Sequence, residues 1–295
     1  MSYHKCAIEG CPAKPISFSH YCWQHVPEKK AYLKKLQSNI KSSVAPVTLD
    51  KIVLEDFDLS GLDLRSASFV RAIFINVDFS NTNLTNANFK SSFFQNCKFH
   101  HTKLVQSTLS GAIIVDSDFV DVDMSLVEGN QLKVKKTTFE NLFIKSADLK
   151  NTFWRNVEIK GSQVADGNFM MSYFDALTVV DSKLDNALCS GGQFHSCNFQ
   201  MSDLIQVNYI GCIIDDSEFK TSHLRNCRFG QAIVRDTVFD NCKLTKPVMR
   251  ETQLIGGKFN RCNMSNPILQ RAVLIHNNLN LKKLANADTE GLVVI

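Results

Sequence analysis

Read in steps of five from Leu49 to Leu284, the chain offers forty-eight positions, all apolar except Gly129 when Cys189 is counted as a small hydrophobe. Sixteen of the 21 phenylalanines fall on this series. Two residues before each of these positions runs a second series of mostly small side chains, among them Ala67, Ala72, Ala87, Ser92, Cys97, Ser107, Ala112 and Ser117. Neither the 3.6-residue period of a helix nor the two-residue period of a strand yields a beat of five. A square coil does, with one pentapeptide per side, four sides per turn, and the large and small residues both pointing inward. One repeat cannot bury its inward face alone, so the stability must come from stacking on neighbours. Forty-eight pentapeptides make about 12 coils, and at roughly 4.8 Å per stacked strand the rod is on the order of 55–60 Å long.

The same pattern sets the boundaries. Segment 125–135, "SLVEGNQLKVK", breaks the beat at Gly129 and predicts a kink or bulge there. The tail 287–295, "ADTEGLVVI", leaves the beat and is expected to cover one end of the rod. Solenoid ends expose unpaired edges and need such caps. At the other end, residues 27–41, "PEKKAYLKKLQSNIK", predict a short helix with Pro27 at its first position. Leu33, Leu36 and Ile40 share one face of it, with Lys29, Lys30, Lys34 and Lys35 around them. The expected organisation is a small module at 1–26, helix and linker at 27–46, the coil at 47–286, and the tail.

Segments such as "FSNTNLTNANF" (79–89) and "IKSADL" (144–149) fit a loose A-[DN]-L-x-x pattern, and over about residues 49–284 the chain resembles the pentapeptide-repeat family. The resemblance implies an all-β fold, a right-handed quadrilateral β-helix. It implies little about activity, because the family includes antibiotic-resistance proteins that bind DNA gyrase, secreted bacterial effectors, and members without a known role.

Six of the ten cysteines, Cys97, Cys197, Cys212, Cys227, Cys242 and Cys262, occupy the small inward position and read as buried thiols. Cys242 and Cys262 are 20 residues apart, one full coil, and are expected to stack directly. The N-terminal cysteines read differently. Cys6-x4-Cys11 and Cys22-x2-His25 supply three thiolates and an imidazole, a set suited to tetrahedral zinc. The segment is similar to small treble-clef-like zinc knuckles. About 25 residues cannot build a core of their own, so a metal staple makes physical sense. Four ligands leave no open coordination position, which makes the zinc structural; His20 and, less favourably, His4 are alternative ligands.

Sorting the residue before each beat by steps of 20 separates the four sides of the rod. On one side the column is Val53, Ile73, Phe93, Ile113, Lys133, Phe153, Tyr173, Gln193, Ile213, Ile233, Gln253 and Val273, nine of twelve apolar. The equivalent columns on the other sides hold three, one and one. Outward residues after the beat, Ile75, Val115, Ile255 and Ile275, widen the strip. An apolar strip of this length marks an interface, and Ile73, Phe93, Ile113, Phe153, Tyr173, Ile213 and Ile233 are the candidate partner-binding residues. The occupant is another protein, a second copy of this chain or the chain's own helix 27–41; the alternative is an unoccupied strip that reflects β-propensity on an exposed strand.

Charge narrows the choices. The net charge is +4, too small for a global nucleic-acid or membrane field. Residues 1–46 carry seven Lys against two Glu, whereas the rest of the chain is nearly neutral, with 26 basic and 27 acidic residues. No stretch is apolar enough to span a bilayer, and no secretory core is visible; a cytoplasmic protein is expected, with delivery into another cell left open. No metalloprotease pair, P-loop, dinucleotide fingerprint or nucleophile elbow is present. The frequent Asp before the beat (Asp58, Asp63, Asp78, Asp123) is a turn former rather than an acid catalyst. The favoured reading is a non-enzymatic protein-protein interaction scaffold. The alternatives are a DNA-mimicking, gyrase-interacting protein, which the neutral rod and unbroken register disfavour, and nucleic-acid binding by the zinc head and basic helix.

Overall fold

The structure, a computed structural model, describes residues 5–284 and 286–295. From residue 47 onward it is a parallel β-solenoid of about 12 turns in which every strand pairs with the strand 20 residues away. One side is a continuous ladder running Val53↔Ile73↔Phe93↔Ile113↔Lys133↔Phe153↔Tyr173 and on through Gln193, Ile213, Ile233, Gln253 and Val273 to Val293. The next side carries strands from Lys98–His100 to Lys258–Asn260. The other two are held largely by single bridges such as Asp63↔Asn83 and Ser68↔Asn88.

The beat explains the square. Two residues after each large residue the backbone enters the left-handed region, as at Asp56, Asn76 and Asn96 with φ of 48°, 55° and 52°. Asn, Asp and Gly accept this conformation readily, but Leu126, Met171 and Thr221 adopt it too, so stacking imposes the corner where the residue type does not favour it. The Asp or Asn before the beat folds over the turn: Ser60, Ser80 and Ser125 donate their backbone N–H to Asp58, Asp78 and Asp123 at 2.8, 2.8 and 2.9 Å. The inward small residues have a polar task. The hydroxyls of Thr82 and Ser92 and the thiol of Cys242 donate to the backbone carbonyls of Leu59, Phe69 and Phe219, each the beat residue of the preceding coil.

Inside, the beat residues form ladders. Phe79, Phe99, Phe119 and Phe139 stack at 4.8, 4.4 and 4.7 Å, and Phe199, Phe219, Phe239 and Phe259 at 4.8, 4.9 and 4.8 Å. Between the two runs this column holds only Ile159 and Val179, and a void of about 40 Å³ remains there, lined also by Val164, Leu184 and Cys189.

Three expectations need revision. Gly129 produces no kink: its N–H donates to Asp148 O at 2.8 Å and Glu128 bridges Thr108 and Asp148 in register. Leu149 of the next coil reaches into the space a side chain there would occupy, so that an added Cβ would sit 2.5 Å from its Cδ2. Core volume is conserved between coils even where one position lacks it. The tail does not form a separate cap but rejoins the coil and stacks on its last turn. After a turn at Leu281–Lys283, Asp288 bridges Ile268 and Val293–Val294 pairs with Val273 and Leu274 at the same 20-residue offset. The helix, α1 (Lys29–Lys41), starts after Pro27 and Glu28 rather than at Pro27.

The N-terminal segment seals one end of the rod. Leu36 and Ile40 of α1, with Ile16, Trp23 and Val26, join the hydrophobic core that continues through the coils to Leu274. Ser17 N donates to Thr48 O at 2.7 Å and Thr48 N to Ser17 Oγ at 2.8 Å, and Gln37 Nε2 reaches Asp58 O. The helix therefore spends its apolar stripe on its own protein and leaves its lysines in water.

Candidate metal centre and interaction face

The N-terminal head folds around its cysteines. Gly10, at φ +77°, turns the chain between Cys6 and Cys11, a conformation that costs glycine little. Cys6 N donates to Ala13 O and Cys11 N to Ile8 O, closing the knuckle. Cys22 precedes the short turn Trp23–His25, which carries His25 back over Cys22. The result is that the sulfurs of Cys6, Cys11 and Cys22 and a ring nitrogen of His25 all lie within 4.8 Å of one another. Cys6 Sγ and Cys22 Sγ are 3.3 and 3.4 Å from His25 Nδ1, and Cys11 Sγ is 4.0 Å from Cys22 Sγ. Bond lengths of about 2.3 Å to sulfur and 2.0–2.1 Å to nitrogen give a tetrahedron with edges of roughly 3.5–3.8 Å. The four expected ligands bracket that size, so the cluster can hold a metal ion. His20 is exposed and outside the cluster, and His4 lies outside the described residues.

Electrostatics favour metal uptake. Burial pushes the Cys6 thiol up, but hydrogen bonds from the backbone N–H of Cys22 and Ile8 and from the His25 and Cys22 side chains outweigh it, lowering Cys6 to about 6. Burial, then the neighbouring Cys6, pushes Cys22 up. One thiolate is thus ready near neutral pH, and a metal held by the four ligands would favour the deprotonated form of the remaining thiols. Outside the ligands, Trp23 packs against Tyr32 at 6.1 Å, with Lys29 Nζ 5.2 Å from its ring.

The second candidate site is the apolar column. Ile73, Phe93, Ile113, Phe153, Tyr173, Ile213 and Ile233 all stand on the one continuous β ladder, pointing outward. Val53 and Ile73 are 37% and 38% exposed and the others half-buried against their neighbours above and below. Phe153 and Tyr173 stack face to face at 5.2 Å with their rings 5° from parallel. Lys133 and Lys135 interrupt the column, with Lys135 Nζ 5.8 Å from the Phe153 ring. After the beat on this side stand two ion pairs between adjacent coils, Arg155 with Asp175 at 3.0 Å and Arg235 with Asp215 at 2.9 Å.

The corner leading into this side exposes Met170, Met171, Leu188 and Ile210, with Gly191 seated over Met171. These residues come from three different columns, so no single 20-residue series reveals them; only the stacked corner brings them to one edge of this side.

This geometry defines a parallel β-solenoid with a metal-competent Cys3His head and a long apolar side. The family model for pentapeptide repeats matches in 8 copies, over residues 54–90, 92–127 and 222–266. The coil runs between those segments without a break in register. It is 35% identical over 63 residues, 21% of this chain, to a quinolone resistance pentapeptide repeat protein, QnrB96, from Scandinavium goeteborgense, and the match spans 28% of that relative. Among solved structures, HetL, a pentapeptide-repeat protein involved in heterocyst differentiation regulation in the cyanobacterium Nostoc, matches at 13% identity and TM-score 0.41, covering 81% of this chain and 94% of HetL. QnrB1, a plasmid-mediated fluoroquinolone resistance protein, matches at 16% identity and TM-score 0.24, covering 83% of this chain and 90% of QnrB1. Among the described residues no helix is long and apolar enough to cross a membrane.

Proposed function

We propose that this protein is a non-enzymatic interaction scaffold, a rigid β-helical rod with a zinc-stapled head that binds another protein through its apolar side. The observation that carries the reading is the uncovered apolar column. The protein's own helix is spent on the end of the rod, so Ile73, Phe93, Ile113, Phe153, Tyr173, Ile213 and Ile233 remain available. Stacked aromatics make anchors, and the neighbouring methionines adapt to a partner's shape. The partner presents an apolar strip of its own with carboxylates set to meet Lys133 and Lys135. The head contributes position rather than chemistry: a closed Cys3His zinc site fixes α1 and the first coil.

The decisive comparison is a pull-down with wild type against Ile73→Asp/Phe93→Asp/Ile113→Asp. Each substitution is on the outer surface, so the variant keeps its β-rich circular dichroism while losing the partner. A variant that captures the same protein as wild type overturns the assignment of this face.

The similarity to QnrB96 favours one second reading, in which the rod engages DNA gyrase as a mimic of duplex DNA. The nearly neutral rod, with a basic stretch at Lys133, Lys135, Lys136, Lys145 and Lys150, opposes it. Protection of gyrase supercoiling from a quinolone by the purified protein is the test.

A further inference from the structure

Most solenoid thiols are inert. Burial pushes Cys97 up to about 11 and Cys197, Cys212 and Cys227 to about 12, and all are enclosed by the coil. Cys242 and Cys262 differ in two respects. They are the two solenoid cysteines in register on adjacent coils: Asp240↔Asn260 and Lys243↔Asn263 pair on either side of them. Cys242 Sγ donates to Phe219 O at 3.1 Å and Cys262 Sγ to Phe239 O at 3.2 Å, the same inward seat repeated one coil apart.

The second difference is access. The chain leaves the coil after Val273–Ile275 and forms the turn Leu281–Lys283 where the next strands would stack. The strands Lys258–Asn260 and Asn263–Ser265 consequently face an open cleft of about 490 Å³, lined by Phe259, Arg261, Cys262, Met264, Asn278 and Leu284 among others. Cys262 is half-buried at its floor and Cys242 lies fully buried one coil beneath.

We propose that Cys262 is a thiol-modification site for small disulfides of the glutathione type, with Cys242 as its resolving thiol. The amides of Asn263, Asn278 and Asn280 give the cleft a polar wall, beside an Arg261 guanidinium that is paired with Asp240 at 2.6 Å. In the first step the Cys262 thiolate attacks one sulfur of the disulfide RSSR, forming Cys262–S–SR and releasing RS⁻. In the second the Cys242 thiol, losing its proton to solvent, attacks Cys262 Sγ, forming the Cys242–Cys262 bond and releasing a second RS⁻. Two protein thiols are oxidised and one RSSR is reduced to two RSH. A coil spacing of about 4.8 Å falls inside the Cα separation a disulfide spans, about 4.4–6.8 Å. The closeness of the two thiols, more than burial, holds Cys262 below the ordinary thiol value and Cys242 above it, the order the two roles require.

The test is incubation of the full, zinc-loaded chain with oxidised glutathione, followed by non-reducing peptide mapping. Wild type is expected to yield a peptide pair joined through Cys242 and Cys262, free of glutathione. Cys242→Ser is expected to stop after the first step, with one glutathione on Cys262; Cys262→Ser is expected to leave Cys242 unmodified. A wild-type map in which Cys262 stays reduced overturns the site, whether or not either variant folds. A map in which Cys262 carries stable glutathione in wild type overturns the resolving role of Cys242.

Discussion

The packing around Gly129 makes a sharp test of how the coils share volume. Leu149 is fully buried and its Cδ2 fills the space beside Gly129. Gly129 has no positive φ, so alanine is conformationally allowed there. A new Cβ would nevertheless lie 2.5 Å from Leu149 Cδ2, where ordinary contacts begin near 3.4 Å. The leucine must retreat by nearly an ångström inside a closed core, at about 1–3 kcal/mol of overpacking. Loss of unfolded-state freedom on replacing glycine returns about 0.4–1 kcal/mol. Gly129→Ala is therefore expected to destabilise by about 1 kcal/mol. Leu149→Ala removes a buried leucine and leaves a cavity, a loss of about 3 kcal/mol within the usual 2–5 range. In that background the clash is gone, and adding Gly129→Ala is expected to recover about 0.5–1 kcal/mol. The pair should thus couple by roughly 1.5–2 kcal/mol in a double-mutant cycle, measured by urea denaturation followed by circular dichroism. If Gly129→Ala costs the same in both backgrounds, Leu149 is not what fills the gap and the account of an unkinked coil is wrong.

Other positions give independent checks. The Tyr209 hydroxyl is buried without a hydrogen-bond partner, so Tyr209→Phe is expected to raise stability by about 1 kcal/mol in the same denaturation assay; a loss of stability would show that the hydroxyl is satisfied. Phe219 is fully buried and stacked at 4.8 and 4.9 Å on Phe199 and Phe239. Phe219→Ala should cost about 3–5 kcal/mol, with hydrogen exchange rising in the adjoining coils and not near Phe79. The head is expected to bind one zinc per chain, read by elemental analysis, and to lose it in Cys22→Ser. Because the Cys6 thiolate is held near 6, below the ordinary 9.0, its stabilising contribution is present above the ordinary value and disappears as pH falls through about 6. Acid titration of the head should release metal in that direction, and release on raising the pH from 6 to 8 would contradict it.

The beat of five was enough to establish the solenoid, its coil number and the contents of its core, because each pentapeptide makes the same local choice and register passes from coil to coil without long-range decisions. The Cys3His cluster was legible for a similar reason: Cys22 and His25 sit on one short turn, and Cys6 and Cys11 flank a glycine turn, so sequence spacing nearly fixes the geometry. The apolar side could be sorted out because a step of 20 returns to the same side of the square. What the sequence could not give was the behaviour of departures from the pattern. At Gly129 it suggested a kink, but the backbone ladder holds the coil and Leu149, a residue of the next turn, absorbs the missing volume. The tail lost its beat yet kept its hydrogen-bond register, since unpaired backbone on the last coil is costlier than an imperfect side-chain pattern. The Met170–Ile210 corner and the cleft over Cys262 come from stacking and from its interruption, so only the tertiary structure could assemble them.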